Sequence, residues 1–314
     1  MKTEKSALLL SAAMSLLVGG AAMVMALVTD SRAVLLDGLF NLVYFMVALL
    51  TLRVAGLLVL PGGEAYPWGH AYFESLVNAI KGLLILGVSA LALADSVIAL
   101  ATGGREILAG PAIGYAVFAT LCCSATAVAL RGIWRRTHSP LVRADLDNWT
   151  LNSIISLAVL ASFCLIPLVR FLGHGELARW VDPLLVAAVI FFCLSVPVRM
   201  ATRAILELLN RAPPERVTAP VRETIRSTLA HIPVRALGTR IVRPGRTLYV
   251  FVQVLLPRDY PVGRLEELDA LRDELDRAVR HQAPSVVLDV LFTSDEQRVA
   301  PASGARKGAL GQAG

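Results

Sequence analysis

Thiols, imidazoles and charge are the scarce ingredients of this 314-residue sequence. Its four cysteines, Cys122, Cys123, Cys164 and Cys193, all sit within apolar runs. A small polarisable side chain packs well there, so they imply no oxidising compartment, disulfide or thiolate metal cage. The five histidines, His70, His138, His174, His231 and His281, are scattered, and no two have the spacing of a metal-ligand pair. No nucleophile stands beside a base and no zinc-hydrolase motif occurs within the apolar segments, so the chain is not read as an enzyme. Charged residues make up only 17% of the chain. The 30 Lys and Arg outnumber the 24 Asp and Glu, but they lie in short loops, and no nucleic-acid partner is expected. What is abundant is apolar surface. Hydrophobic residues reach 56% and mean hydropathy +0.64, against about 45–50% apolar residues in soluble domains.

Six apolar segments are long enough to cross a bilayer, which takes about 20 residues each: 7–28, 33–58, 73–100, 108–130, 146–169 and 181–204. The first follows Lys2 and Lys5 and runs to about Val28 without a cleavage site; it reads as a retained span rather than a signal peptide. An even number of spans puts both termini on one side. That side collects Lys2, Lys5, Arg53, Arg131, Arg135, Arg136, Arg143, Arg199 and Arg203, whereas the other holds Arg32, Arg105, Arg170 and Arg179. The excess of basic residues predicts cytoplasmic termini.

After Arg211-Ala212-Pro213-Pro214 the pattern turns polar and mixed, which divides a membrane domain, 1–212, from an aqueous one, 213–295. Residues 215–231 carry Val217, Val221, Ile225 and Leu229 on one helical stripe, and a second stripe runs Leu265, Leu268, Leu271, Leu275, Val279. Strand-like stretches lie at 236–242, 248–256 and 285–292, with a turn at Arg243-Pro244-Gly245-Arg246. The order helix, strand, strand, helix, strand predicts two helices on one face of a three-stranded sheet. Residues 296–314, rich in Ala, Gly, Ser and Lys, are expected to be a disordered tail.

The second segment holds the most informative residues, Asp37-Gly38-Leu39-Phe40-Asn41. A carboxylate at mid-bilayer costs roughly 2.5–3.5 kcal/mol on insertion scales, so it faces a cavity, a partner or an ion. Asp37 and Asn41 are four residues apart and share a helix face, about 6 Å along the axis. Asn148 and Asn152 repeat the spacing in the fifth segment, which places the two pairs opposite each other across a bundle. The structural alternative pairs Asp37 with Lys81 to hold helices together, with the three Asn as interhelical hydrogen-bonding groups. Lys81 and Asp95 in the third segment read as partnered or snorkelling residues, and Trp149 as a packing or interface aromatic.

The layout and four local motifs resemble the cation diffusion facilitator family. Ser31-Arg32-Ala33-Val34-Leu35-Leu36-Asp37-Gly38 is similar to the opening of its second span. Tyr66-Pro67-Trp68-Gly69-His70 with Glu74 is similar to the start of its third, Ser139-Pro140-Leu141-Val142-Arg143-Ala144-Asp145 to that of its fifth, and Asp182-Pro183 to that of its sixth. The resemblance covers roughly 7–295. It implies six transmembrane helices followed by a cytoplasmic ferredoxin-like α+β dimerisation domain, in a homodimer that exports divalent metal cations, usually in exchange for protons. The transported metal is then a substrate, and no resident cofactor is implied.

The family's transport-site positions fall on Asp37, Asn41, Asn148 and Asn152, where members carry more Asp and a His. One carboxylate with three amide oxygens makes a hard, weakly charged site that suits Mn²⁺ or Mg²⁺ better than Zn²⁺, with Thr150 or Ser153 as additional hydroxyl ligands. Only Asp37 titrates within it. Other metal positions of the family are depleted too: the loop between spans two and three offers Glu64 and His70 but has Tyr66 at its histidine-like position, and in the soluble domain the strand positions that often carry histidines hold Arg235, Gln253 and Asp289, so no binuclear zinc site is expected there. Arg240 reads as structural. The competing reading is a membrane interaction or regulatory protein that keeps the fold with a degenerate metal site.

Overall fold

The computed structural model describes residues 2–29, 32–60, 62–104, 109–172, 175–283 and 285–299. The chain divides into two compact units, Met1–Ile205 and Leu206–Gly314. The division falls before the Pro213-Pro214 pair.

The first unit is built from long helices: α1 (Lys2–Thr29), α2 (Arg32–Leu57), α3 (Ala71–Ala101), α4 (Ala109–Thr137), α5 (Pro140–Phe171), α6 (Gly175–Cys193) and α7 (Ser195–Leu208). The expected sixth span is therefore interrupted at Leu194. Pro197 explains the break, because its missing N–H removes the helical bond to Cys193. Flanking bonds from Leu194 N–H to Ile190 O (2.8 Å) and from Val198 N–H to Leu194 O (3.3 Å) carry the chain through it. Five helical stretches are long and apolar enough to cross a membrane: 3–28, 37–57, 71–101, 113–137 and 179–208. Helix α5 is not among them, and its first turns carry Arg143, Asp145, Asp147, Asn148 and Asn152. Leu27, Leu121, Val128, Phe191 and Phe192 stand exposed on these helices, an apolar surface suited to hydrocarbon rather than water. The protein is a multi-pass membrane protein.

Helix α1 packs along α2 and α4 along α5, with α1 also touching α4 and α5; α3 and α6 pack on each other and against α2 and α5, respectively. Two glycines let α1 and α2 approach to backbone contact. A Cβ on Gly19 would sit 3.1 Å from Asn41 Cβ, and one on Gly38 would sit 3.1 Å from the Met23 backbone nitrogen. Such small-residue contacts substitute for the hydrophobic drive that lipid does not supply. Leu8, Leu130, Leu141, Val142 and Trp149 fill the core. Trp149 is fully buried and donates from Nε1 to Ser11 Oγ at 2.9 Å, as expected of a packing aromatic.

In the second unit the order is α8 (Glu215–Thr228), a 3-10 turn (Leu229–His231), β1 (Ala236–Val242), β2 (Leu248–Leu255), α9 (Leu265–Gln282) and β3 (Val286–Thr293). The sheet order is β1-β2-β3. Strands β1 and β2 are antiparallel, with Arg240 opposite Phe251, and β2 and β3 are parallel, with Val250 opposite Leu288. Val221, Ile225, Leu275 and Val279 bury one face of both helices against Leu248, Val250, Val252 and Val254 of β2. The predicted stripes hold except at the start of α9, where Leu265 is exposed. Residues Glu296–Arg298, expected in the disordered tail, form a 3-10 turn capped by Asp295, whose side chain accepts from Gln297 N–H. Residues 300–314 of that tail lie outside the described residues.

Candidate functional site

Asp37 begins the second turn of α2, and Asn41 follows one turn later on the same face. The Asn41 amide donates to the Asp37 backbone oxygen at 2.9 Å and to Asp37 Oδ1 at 3.3 Å. This commits the donor half of the amide and leaves its acceptor oxygen for other partners. On the other side of the carboxylate, the Tyr115 hydroxyl of α4 donates to Asp37 Oδ2. Both carboxylate oxygens thus accept hydrogen bonds inside the helix bundle, which offsets part of the cost of holding the group there.

A cavity of about 40 Å³ opens beside this pair, lined by Asp37, Asn41, Asn152 and Ser156 with Cys123, Ala119, Val18 and Ile155. It has room for roughly three water-sized groups. Helices α1, α2, α4 and α5 all contribute to its wall. The four predicted residues therefore divide three to one. Asp37, Asn41 and Asn152 meet at the cavity; Asn148, buried to 3% exposure one turn back on α5, does not line it.

Three hydroxyl- or thiol-bearing neighbours of Asp37 and the cavity, Ser156, Tyr115 and Cys123, were not expected. Ser156 continues the Asn148, Asn152 spacing by one more step of four, so the sequence held the signal. Tyr115, Ala119 and Cys123 repeat the same spacing on α4, but nothing local marks a tyrosine in an apolar run as a carboxylate partner. The expected hydroxyls are elsewhere: Thr150 is exposed, and neither it nor Ser153 lines the cavity.

Lys81 does not pair with Asp37. Its ammonium donates to Asp145 Oδ1 at 2.5 Å, with 1% and 2% of the two side chains exposed. The expectation that Lys81 is partnered holds; the partner comes from α5. Asp95 lies on the exposed side of α3. His70 stacks against Tyr66 (ring centroids 4.9 Å) and Phe73 (5.8 Å), an aromatic cluster at the start of α3. Glu64 and Tyr66 are exposed in the preceding loop, as are Arg235, Arg240 and Asp289 in the second unit. His174, Arg105 and Ser31 lie outside the described residues. Among the described residues no three His, Cys, Asp or Glu side chains come together as a metal-binding cluster.

The chemistry on offer is one carboxylate, two carboxamides, a hydroxyl and a thiol around a small space. Such a set can hold a hard cation with part of its water shell; it is too poor in nitrogen and sulfur for a closed tetrahedral zinc site.

The family model described as the cation efflux transmembrane domain matches residues 8–209. The chain is 26% identical over 276 residues to proteins named cation-efflux pump FieF from Yersinia pestis (strain Pestoides F) and Yersinia pseudotuberculosis serotype I (strain IP32953). Those alignments cover 86% of this chain and 84% of each relative.

Proposed function

We propose, from the premise that this chain belongs to the cation efflux family, the cation diffusion facilitators, that it exports a divalent metal cation from the cytoplasm in exchange for protons. The observation that carries the reading is the cavity in which Asp37 and Asn41 of α2 meet Asn152 of α5. Asp37 supplies the negative charge. The carboxamide oxygens of Asn41 and Asn152 and the Ser156 hydroxyl supply neutral donors, and Asn148 supports the α5 side from one turn away. Hard oxygen donors around a single charge favour Mn²⁺ or Mg²⁺ over Zn²⁺.

In this reading α5 also spans the membrane, as the fifth of six spans, with α6 and α7 together forming the last. Both termini and the second unit lie in the cytoplasm. The helix, strand, strand, helix, strand order of the second unit supports a ferredoxin-like dimerisation domain and a homodimer. Transport proceeds by rocking of helices about a fixed site near the membrane midplane.

Metal binding separates this from a regulatory protein that keeps the fold with a dead site, a reading favoured by the absence of a His, Cys, Asp or Glu cluster among the described residues. A ligand at 100 times its dissociation constant stabilises the folded state by about 2.7 kcal/mol. A rise in thermal midpoint with Mn²⁺ that disappears in Asp37→Ala supports transport. No shift with any divalent ion supports the regulatory reading.

A further inference from the structure

A second polar cluster lies outside the cavity, and it contains the buried ammonium that the transport reading leaves unused. Lys81 of α3 and Asp145 of α5 form a 2.5 Å ion pair closed off from solvent. The pair is not saturated. Among the described residues, Asp145 Oδ2 has no hydrogen-bonding partner, nor has the buried hydroxyl of Tyr44 on α2 or Oδ1 of Asn78, three residues before Lys81 on α3. Tyr44 lies within electrostatic reach of Asp145. Polar atoms buried without partners are costly, and a cluster of them marks a place that takes water or changes protonation.

The cluster is connected to the cavity along two helices. On α5, Asp145, Asn148 and Asn152 climb at steps of three and four, about 10 Å in all. On α2, Tyr44 follows Asn41 by three. A cation in the cavity therefore stands about two helical turns from the pair, inside the helix bundle, where charge is screened less than at a surface.

The cavity itself is poorly supplied with exchangeable protons. Its amides do not titrate, and both Asp37 oxygens are already engaged, accepting hydrogen bonds from Tyr115 and Asn41. The only other charged side chain buried on α3 is Glu74, two turns from Lys81. From α7, where Ala201 meets Gly82 of α3, Arg199 and Arg203 act on Asp147. Asp147 also binds Arg143.

We infer that Lys81, paired with Asp145 and flanked by Tyr44, carries the proton that is exchanged for the transported cation. This rests on the transport reading above and names its coupling group. When a divalent cation enters the cavity, its charge repels the ammonium. One proton passes from Lys81 Nζ to Asp145 Oδ1; rotation of the carboxyl group then turns that O–H away from the amine, and the same proton passes to a water that enters on the unsatisfied side of the cluster and carries it out. A neutral amine and a carboxylate remain, so the pair falls from net zero to −1 and offsets half of the incoming 2+; the ionised Asp37 offsets the other half. Departure of the cation on the far side lets Lys81 take up a proton again.

Lys81→Arg tests this directly, because a guanidinium keeps the positive charge and the ion pair but does not give up its proton. The full-length protein in weakly buffered detergent with a pH indicator is titrated with Mn²⁺, and bound metal and released protons are counted together. The native chain is expected to release about one proton per Mn²⁺, with affinity rising about tenfold per pH unit. Lys81→Arg is expected to bind Mn²⁺ and release none, with affinity independent of pH. Should arginine not fit the buried site, Lys81→Met with Asp145→Leu removes the pair as a unit, and the same result is expected of it. Proton release from either variant equal to that of the native chain overturns the inference, as does native Mn²⁺ binding without proton release. Failure of the native chain to bind Mn²⁺ is a different outcome, which overturns the transport reading and this inference with it.

Discussion

The Tyr115 hydroxyl donates to Asp37 Oδ2 across the α4–α2 interface, and with Asn41 on Oδ1 it fixes the carboxylate between two helices. Hydrogen bonds to a charged group contribute about 1.5–3 kcal/mol. Tyr115→Phe is therefore expected to leave the fold intact and lower the apparent affinity for the transported ion by roughly tenfold, read as a higher KM in a vesicle uptake assay.

The two α5 asparagines are expected to differ. Asn152 lines the cavity and Asn148 does not, so Asn152→Ala should impair uptake more strongly than Asn148→Ala at equal protein in the membrane. Asn152→Asp adds a second carboxylate to the cavity. Its expected result is tighter divalent binding and a shift of preference toward Zn²⁺, measured by competition between Mn²⁺ and Zn²⁺.

Close approach of α1 and α2 depends on Gly19 and Gly38. A valine at Gly38 meets the Met23 backbone and sulfur at 3.1 Å, and the α1 backbone cannot move aside without opening the interface. Gly38→Val is expected to lower the thermal midpoint and to reduce transport together, whereas Gly87→Val, where an added Cβ meets nothing within 4 Å, should do neither. Detergent-solubilised thermal denaturation checks both.

Truncating one partner of the Lys81–Asp145 pair leaves the other charge buried and unpaired, which costs about 3–5 kcal/mol. Lys81→Met alone should destabilise severely, and adding Asp145→Leu should recover most of the loss. A double variant no more stable than the single one would contradict this account of the pair.

Periodicity and turn chemistry carried most of the second unit. The stretch 236–242 was legible as a strand from its composition and its Pro244-Gly245 turn, and β1 occupies those residues. Strand β2 stops at Leu255, one residue short of the expected end. In the first unit, Asp37 and Asn41 were legible because four residues return a helix to nearly the same face. Asn148 and Asn152 looked equivalent by the same rule. Each step of four drifts by roughly 40°, however, and only packing against α2 and α4 selects Asn152 and Ser156 for the cavity. Tyr115 with Asp37, and Lys81 with Asp145, lie 78 and 64 residues apart in sequence. No local pattern encodes such partners; they follow from which helices pack together. Pro197 was visible, but the apolar run continues through it and hid the break between α6 and α7.

The central claim is that Asp37 anchors a transported divalent cation. The most direct measurement is ion uptake into sealed proteoliposomes loaded with a fluorescent indicator, comparing Mn²⁺, Mg²⁺, Zn²⁺, Fe²⁺ and Co²⁺ for the native protein and Asp37→Ala. The account predicts native uptake, with Mn²⁺ or Mg²⁺ preferred over Zn²⁺, that is lost in the variant. Movement of no ion by the native protein, or equal uptake by Asp37→Ala, would contradict it.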